Sequence, residues 1–220
     1  MVTNGLEKAC RVPVSSEVTL EGDVCVPEQA RGMVLFAHGS GSSRRSPRNK
    51  LVAQHLNQAG IATLLLDLLT AQEEKQDSYT GKFRFNIDLL SERVAGATTW
   101  LREYAPTKDV PLGYFGASTG AAAALVAGAQ HPQFVKAIVS RGGRPDMAGE
   151  ALQQVCAPTL LIVGAEDTQV ITLNQMAYTL LKAEKRFELV PGATHLFEEP
   201  GALERVAQLA CCWFRHYLIT

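Results

Sequence analysis

A serine stands between two glycines at the point where an apolar strand pattern gives way to a helix pattern. The segment Gly116-Ala117-Ser118-Thr119-Gly120 follows the apolar run 111–115 and precedes the alanine-rich run 121–125. Glycine on both sides permits a tight crossing of strand and helix around a strained serine backbone. Such a turn lifts the Ser118 hydroxyl above a sheet and directs the first N–H groups of the helix to the space beside it. This context predicts a nucleophilic serine in an α/β fold.

Two later loops hold the acid and the base that a serine nucleophile needs. The apolar segment 157–164 opens at an Ala-Pro pair and closes at a glycine, and Asp167 lies just beyond it. The segment 186–191 is a second strand pattern, and His195 lies in the loop that follows. The chain order Ser118, Asp167, His195 is typical of a serine triad whose acid and base lie on separate loops at the carboxyl edge of a sheet. Glu166, next to Asp167, is a rival for the acid.

Other residues compete for these roles. A serine at a strand-to-helix turn is also a common helix N-cap, and Asp67 follows another buried strand pattern, at 61–66, where a structural cap is the favoured role. His55 and His216 lie within helix patterns and His131 follows a helix, so we expect each of them to be structural or on the surface. His38 lies in the loop after the strand pattern 33–37, where we expect it to support the loop.

Together these motifs resemble the α/β-hydrolase superfamily and, more closely, its dienelactone hydrolase-like branch. The residues that carry the resemblance are His38-Gly39-Ser40-Gly41, the 116–120 turn, Gly164-Ala165-Glu166-Asp167 with Val170, and Gly192-Ala193-Thr194-His195. The resemblance implies an α/β-hydrolase fold and catalysis by Ser118, His195 and Asp167. Dienelactone hydrolases usually carry a cysteine nucleophile, and this chain departs from that pattern by having a serine.

The resemblance also implies an oxyanion hole made of two backbone N–H groups. One belongs to Thr119, directly after the nucleophile, and the other, by position, to Ser40, with Gly41 as the alternative. Chemistry of this kind needs neither a metal nor an organic cofactor.

The rest of the chain alternates strand and helix patterns. Fully apolar strands between amphipathic helices predict a mostly parallel central sheet with helices on both faces. An antiparallel pair, at 12–16 and 18–26, is expected at one edge. Further buried strands are expected at 33–37, 61–66 and 135–139, with helices after Ser46-Pro47, at 86–104 and over 202–217. Ligands are then expected at the carboxyl ends of the strands.

Composition favours a single compact enzyme domain over residues 1–220. A chain of this length buries about 70% of the surface that its unfolded form exposes, so stability requires neither disulfides nor a metal. The net charge of −1 gives no basis for attraction to nucleic acid or to an anionic membrane. The five cysteines form no C-x-x-C pair, the start of the chain lacks a signal-peptide pattern, and no stretch approaches 18 apolar residues. We therefore expect a cytoplasmic protein with reduced thiols.

Features around the expected site bear on its substrate. Too few residues separate the strands ending near 140 and starting at 159 for the helical lid of lipase-like relatives, so we expect an open site without a large lid domain. The polar segment 70–85, which carries Tyr79, either walls the pocket or is a surface excursion. Five arginines follow strand ends: Arg44, Arg45, Arg48, Arg141 and Arg144. We expect a cationic rim that attracts a carboxylate, with Arg141, Arg144 and Tyr79 as candidate substrate-binding residues.

Three functions are compatible with these patterns. The first is a serine carboxylic-ester hydrolase that acts on small soluble esters through an acyl-enzyme intermediate. The second is a lactone-opening enzyme of the dienelactone hydrolase type. The third is a non-catalytic binding protein on the same fold, against which the intact set of triad residues argues. Peptidase and acyltransferase activities share this fold and triad, and the sequence leaves the oligomeric state open.

Overall fold

The computed structural model of the protein describes Gly5 and residues 7–219, and its eight strands form one sheet. The strands, numbered in chain order, are β1 Lys8–Pro13, β2 Thr19–Cys25, β3 Gly32–Ala37, β4 Ile61–Leu66, β5 Leu112–Ala117, β6 Val135–Arg141, β7 Thr159–Gly164 and β8 Lys185–Val190. Their order across the sheet is β1-β2-β4-β3-β5-β6-β7-β8. The pairs β1–β2 and β2–β4 are antiparallel, and all other pairs are parallel. The mostly parallel sheet with an antiparallel edge is thus confirmed.

Six α-helices of the described residues connect or follow these strands. They are α1 Pro47–Gln58, α2 Ala71–Thr80, α3 Ile87–Glu103, α4 Thr119–Gln130, α5 Thr168–Leu180 and α6 Ala202–Leu218. The Ser46 side chain accepts the N–H of Asn49 and caps α1, whose first residue is Pro47, as the sequence predicts. No helix of the described residues is long and apolar enough to cross a membrane.

The core lies in two layers, one on each face of the sheet. On one face α1 and α6 pack together, burying Val52 and Leu56 against Val206 and Phe214. On the other face α3 and α4 pack together, with Ala122, Ala123, Ala124 and Ala127 of α4 fully buried. The central strands β3, β4, β5 and β7 are buried along their whole length because helices cover both faces. This sheet brings the carboxyl ends of six parallel strands, β3 to β8, to one edge.

The polar segment 70–85 contains a helix, α2, that was not among the expected elements. Thr70 caps α2 by accepting the N–H of Glu73, while the Glu73 carboxylate accepts the N–H of Thr70, and Gly81 ends the helix in a left-handed conformation. The Thr-x-x-Glu spacing was the available signal. The segment has no strong apolar stripe, so periodicity alone did not indicate a helix.

The connection between β6 and β7 is short, as predicted. It holds a 3₁₀ segment, Pro145–Gln154, interrupted at Gly149 by a positive φ of 54°. The two short 3₁₀ pieces form no large lid over the carboxyl edge, so that edge stays open between the described loops.

Candidate active site

The turn from β5 to α4 holds Ser118 in a strained conformation. Its φ of 49° and ψ of −124° lie outside the regions that side chains favour. A Cβ on Gly120 would lie 2.3 Å from the carbonyl oxygen of Ala37, and one on Gly116 would lie 2.4 Å from the Cα of Ala121. Both glycines are therefore required for the tight crossing of strand and helix, as expected from the sequence.

His195 and Asp167 are hydrogen-bonded to each other across two loops. Nδ1 of His195 lies 2.7 Å from Oδ2 of Asp167. Asp167 lies three residues after the end of β7, and His195 lies five residues after the end of β8. A Cβ on Gly164 would lie 2.3 Å from the Ala193 carbonyl oxygen, so the two loops pack backbone against backbone. The hydrogen bond from Nδ1 to Asp167 fixes the orientation of the His195 ring and leaves Nε2 free.

Glu166 points elsewhere. Its side chain is exposed, and its backbone N–H donates to the carbonyl of Ala193. Of the two neighbouring acids, Asp167 is the one that contacts His195.

Ser118 and His195 line the same open cavity, whose volume is about 250 Å³. Its lining residues are Gly39, Ser40, Ser42, Arg48, Ala117, Ser118, Arg141, Gly142, His195 and Leu196. The cavity contains the predicted nucleophile and base together with one side of the turn after β3.

The turn after β3 approaches the serine closely. A Cβ on Gly39 would lie 2.8 Å from the Cβ of Ser118, so only glycine fits between them without a shift. The N–H of Ser42 donates to the Gly39 carbonyl, and Gly41 has a φ of 68°. Ser40 lies in this turn and lines the cavity, and Thr119 begins α4, where backbone N–H groups have no acceptor within the helix. Ser40 thus shares the cavity with Ser118, and Thr119 follows Ser118 directly in the chain.

His38 connects two loops below this turn. Its Nδ1 donates to the Gly39 carbonyl, and its Nε2 accepts the N–H of Leu68. Burial lowers the pKa of His38, which favours the neutral ring that these two bonds require. The contacts agree with the supporting role that the sequence indicated.

Asp67 also has a structural place. Its Oδ1 accepts the N–H of Arg44 at 2.6 Å, and its Oδ2 pairs with the Arg44 guanidinium. Asp23 adds a second carboxylate to the same guanidinium. Neither Asp67 nor Arg44 lines the cavity at Ser118 among the described residues.

Comparison with known proteins identifies the family of this chain. A family model described as the alpha/beta hydrolase fold matches residues 32–158, more than half of the chain. The chain belongs to the α/β-hydrolase family. The hydrolase is also 57% identical to a dienelactone hydrolase from Anabaena variabilis, whose crystal structure superimposes with a TM-score of 0.95 over 97% of this chain and 99% of that one. It is thus a dienelactone hydrolase-like protein.

Other similar proteins have names that differ from dienelactone hydrolase. Two Mycobacterium tuberculosis strains each have a protein, named as a candidate phosphoribosyl transferase, that is 54% identical over 205 residues. This match covers 93% of the hydrolase and 45% of each relative, so the chain spans less than half of their length. A dienelactone hydrolase-like promiscuous phosphotriesterase from metagenomic libraries shares the fold, with a TM-score of 0.76 at 17% identity over 98% of this chain and 99% of that one.

The predicted cationic rim is mostly neutralised by partners within the hydrolase. Arg44 pairs with two aspartates as described, and Arg144 makes a two-pronged contact with Asp146, from Nε at 2.9 Å and from Nη2 at 2.8 Å. Arg45 is exposed. Tyr79 lies on α2 with 86% of its surface exposed, away from the residues that line the cavity. The rim therefore reduces to the arginines that line the cavity itself.

Arg141 is the exception among these arginines. It ends β6, with its backbone next to Ala117 in the sheet, and it is only 8% exposed. Its Nε and Nη1 are buried without a hydrogen-bond partner among the described residues. The guanidinium lies 6.0 Å from the centre of the Phe197 ring. Burial, and to a smaller extent the neighbouring Arg48, lowers the pKa of Arg141 to about 10.

Asn174 supports this part of the site from α5, a role that no sequence pattern predicts. Its buried amide donates to the carbonyls of Gly143 and Val170. The 142–144 turn that it holds also places the N–H of Arg144 on the Ser118 carbonyl. A lone asparagine in a helix gave no sequence signal for this contact.

Proposed function

We propose that the hydrolase cleaves small carboxylic esters, with Ser118 as nucleophile, His195 as general base and acid, and Asp167 as the residue that orients His195. The observation that carries the proposal is the shared cavity: the strained serine and the histidine line it together, and the histidine is hydrogen-bonded to the aspartate. Serine strained at a strand-to-helix turn and supplied with an oriented imidazole is the arrangement required for acyl transfer.

The steps follow from the positions of these groups. His195 Nε2 takes the Ser118 proton as Oγ bonds to the ester carbonyl carbon, and Asp167 stabilises the imidazolium through its bond to Nδ1. The imidazolium then gives the proton to the leaving oxygen as the C–O bond breaks, which leaves an acyl-enzyme. Water attacks the acyl-enzyme by the same route, releasing the acid and restoring the serine.

The negative charge that develops on the carbonyl oxygen requires fixed donors. We assign this role to the backbone N–H groups of Thr119 and Ser40, with Gly41 as the alternative for the second donor. Two features support the assignment: Thr119 is the first residue of a helix, and the turn containing Ser40 packs against Ser118 through Gly39.

Lactone opening is the second candidate. It has the same steps, except that the leaving oxygen stays attached to the acyl group. The observation that favours it is the 57% identity to a protein named dienelactone hydrolase. The name phosphoribosyl transferase comes from proteins that are more than twice as long as the matched region, so it gives no chemistry for this site.

A panel of p-nitrophenyl esters and simple lactones tests the proposal. Wild-type protein should hydrolyse at least one short-chain ester, and Ser118→Ala and His195→Ala should each lower kcat by at least about 10³-fold. Both residues lie at the surface of an open cavity, so thermal stability should change little. Retention of more than a tenth of the activity in Ser118→Ala would overturn the assignment of the nucleophile.

A matched pair of variants tests which of the two neighbouring acids orients His195. Asp167→Asn should lower kcat strongly because the amide cannot stabilise the imidazolium, whereas Glu166→Gln changes an exposed neighbour that does not contact His195. A larger loss in Glu166→Gln would reverse the assignment. Inactivity towards every ester and lactone, together with no labelling by a fluorophosphonate, would favour the non-catalytic binding function.

A further inference from the structure

A buried cation without a partner lies beside the proposed nucleophile. Arg141 is almost completely buried, and two of its nitrogens find no acceptor among the described residues. Burying an unpaired charge is unfavourable, so such a group is retained where it binds something that supplies the opposite charge. The group lines the cavity at Ser118, which is where that ligand would lie.

Arg48 gives the same cavity a second guanidinium. It extends from the first turn of α1, and its Nη1 pairs with Glu198 at 3.1 Å, while its Nε is buried with no partner in the described part of the chain. The Glu198 side chain is 65% exposed, which weakens that pair by solvent screening. Arg48 and Arg141 lie close enough for the charge of one to lower the pKa of the other. An anion between them would relieve this repulsion.

The triad geometry decides which part of an ester reaches these arginines. In the tetrahedral intermediate the carbonyl oxygen faces the oxyanion donors, and the leaving oxygen must face His195 because the imidazolium protonates it. The acyl group takes the remaining direction. Arg141 lies over the Phe197 ring and Arg48 pairs with Glu198, and both of these partners belong to the loop that carries His195. The two arginines therefore line the His195 side of the cavity, which is the side of the leaving group.

The cavities next to the site also favour an anion on the leaving group over one on the acyl group. A cavity of about 630 Å³ shares Ser42 and Arg48 with the site, which gives a leaving group room to extend. On the Thr119 side of the oxyanion turn the space is only about 10 Å³. Its lining contains Leu68, Leu69, Leu90 and Glu74, and its one arginine, Arg84, is paired with Asp77. An anionic acyl group would find a carboxylate and no unpaired cation there.

We propose that Arg141 and Arg48 form a binding site for a carboxylate carried by the leaving group, so that the preferred substrates are short-chain acyl esters of carboxylate-bearing alcohols or phenols. This inference rests on the proposed ester hydrolysis and specifies its substrate. The sequence led us to expect Arg141 and Arg144 to bind the carboxylate. Asp146 already neutralises Arg144, so Arg48 takes its place beside Arg141.

Two pairs of esters test which side carries the charge. The first pair is 4-carboxyphenyl acetate and its methyl ester, and the second is phenyl hydrogen glutarate and its methyl ester, with each rate divided by the rate of alkaline hydrolysis. A charged hydrogen-bonded contact is worth about 10- to 100-fold, so kcat/KM should favour the anion by that factor in the first pair only. Equal preference in both pairs, or none in the first, overturns the inference.

Variants connect the preference to the two residues. Arg141→Met should bring the ratio for the first pair close to one, and Arg48→Met should lower it in part. Arg144→Met is the matched control, and the ratio should stay at its wild-type value. If the neutral esters are hydrolysed in a Ser118-dependent way while Arg141→Met keeps the preference, ester hydrolysis stands and this inference is wrong.

Binding of a product gives a readout that does not depend on turnover. Calorimetric titration with 4-hydroxybenzoate should show a Kd that Arg141→Met weakens about 10- to 100-fold, whereas phenol should bind both proteins equally weakly. Should every ester prove inert, the proposed hydrolysis fails, and this titration still decides whether the two arginines bind a carboxylate. An unchanged Kd in Arg141→Met contradicts the site.

Discussion

Replacing Arg141 by methionine should stabilise the hydrolase. Burial and Arg48 lower the pKa of the Arg141 guanidinium to about 10, which means that the folded state holds the charged form at a disadvantage at every pH below that value. Each tenfold loss in proton affinity corresponds to about 1.4 kcal/mol, so the charge costs the fold about 3 kcal/mol. Methionine keeps an unbranched stem in the same space, and the lost attraction to the Phe197 ring is worth up to about 1 kcal/mol.

The expected gain in the free energy of unfolding is therefore about 2 kcal/mol at pH 7. For a chain of this length that is a rise in Tm of about 4 to 8 °C. Urea unfolding should show a higher midpoint with an unchanged slope. Arg144→Met, which removes a partly exposed pair with Asp146, should instead lower stability by no more than about 1 kcal/mol. A loss of 1 kcal/mol or more in Arg141→Met would refute the reasoning, since the guanidinium would then be stabilised in the folded state.

Two other predictions concern the backbone around the nucleophile. Ser118 has a φ of 49°, so Ser118→Gly should be more stable than Ser118→Ala by about 1 kcal/mol in urea unfolding, and equal stabilities would argue against strain at this turn. A Cβ on Gly120 would overlap the backbone carbonyls of residues 37 and 38, so Gly120→Ala should lower the free energy of unfolding by about 1 to 3 kcal/mol or more, and a neutral effect in the same assay would contradict the close packing.

The placement of the candidate triad residues could be predicted because its signals are local and ordered along the chain. Ser118 lies between glycines at a strand-to-helix boundary, and Asp167 and His195 each follow a buried strand. Parallel strands bring their carboxyl ends to one edge, so these three positions had to converge. The sequence left two neighbouring acids, Glu166 and Asp167, as candidates. The structure distinguishes them because only Asp167 is hydrogen-bonded to His195.

The sequence does not show which arginines are paired with carboxylates in the fold. Arg44 finds its partner 23 residues away in Asp67, and Arg48 finds its partner 150 residues away in Glu198. A count of arginines near strand ends therefore overstated the number of free cations. The packing of β6 against the loop of His195 leaves Arg141 buried, with Nε and Nη1 unpaired among the described residues.

Covalent labelling of the nucleophile tests the central claim most directly. The hydrolase is treated with a fluorophosphonate, digested, and mapped by mass spectrometry. A reactive serine activated by His195 and Asp167 should form one adduct, on the peptide that contains Ser118, and His195→Ala should label at least about 100-fold more slowly. An adduct on a different residue, or labelling of Ser118→Ala at the wild-type rate, would contradict the assignment of Ser118 as the nucleophile.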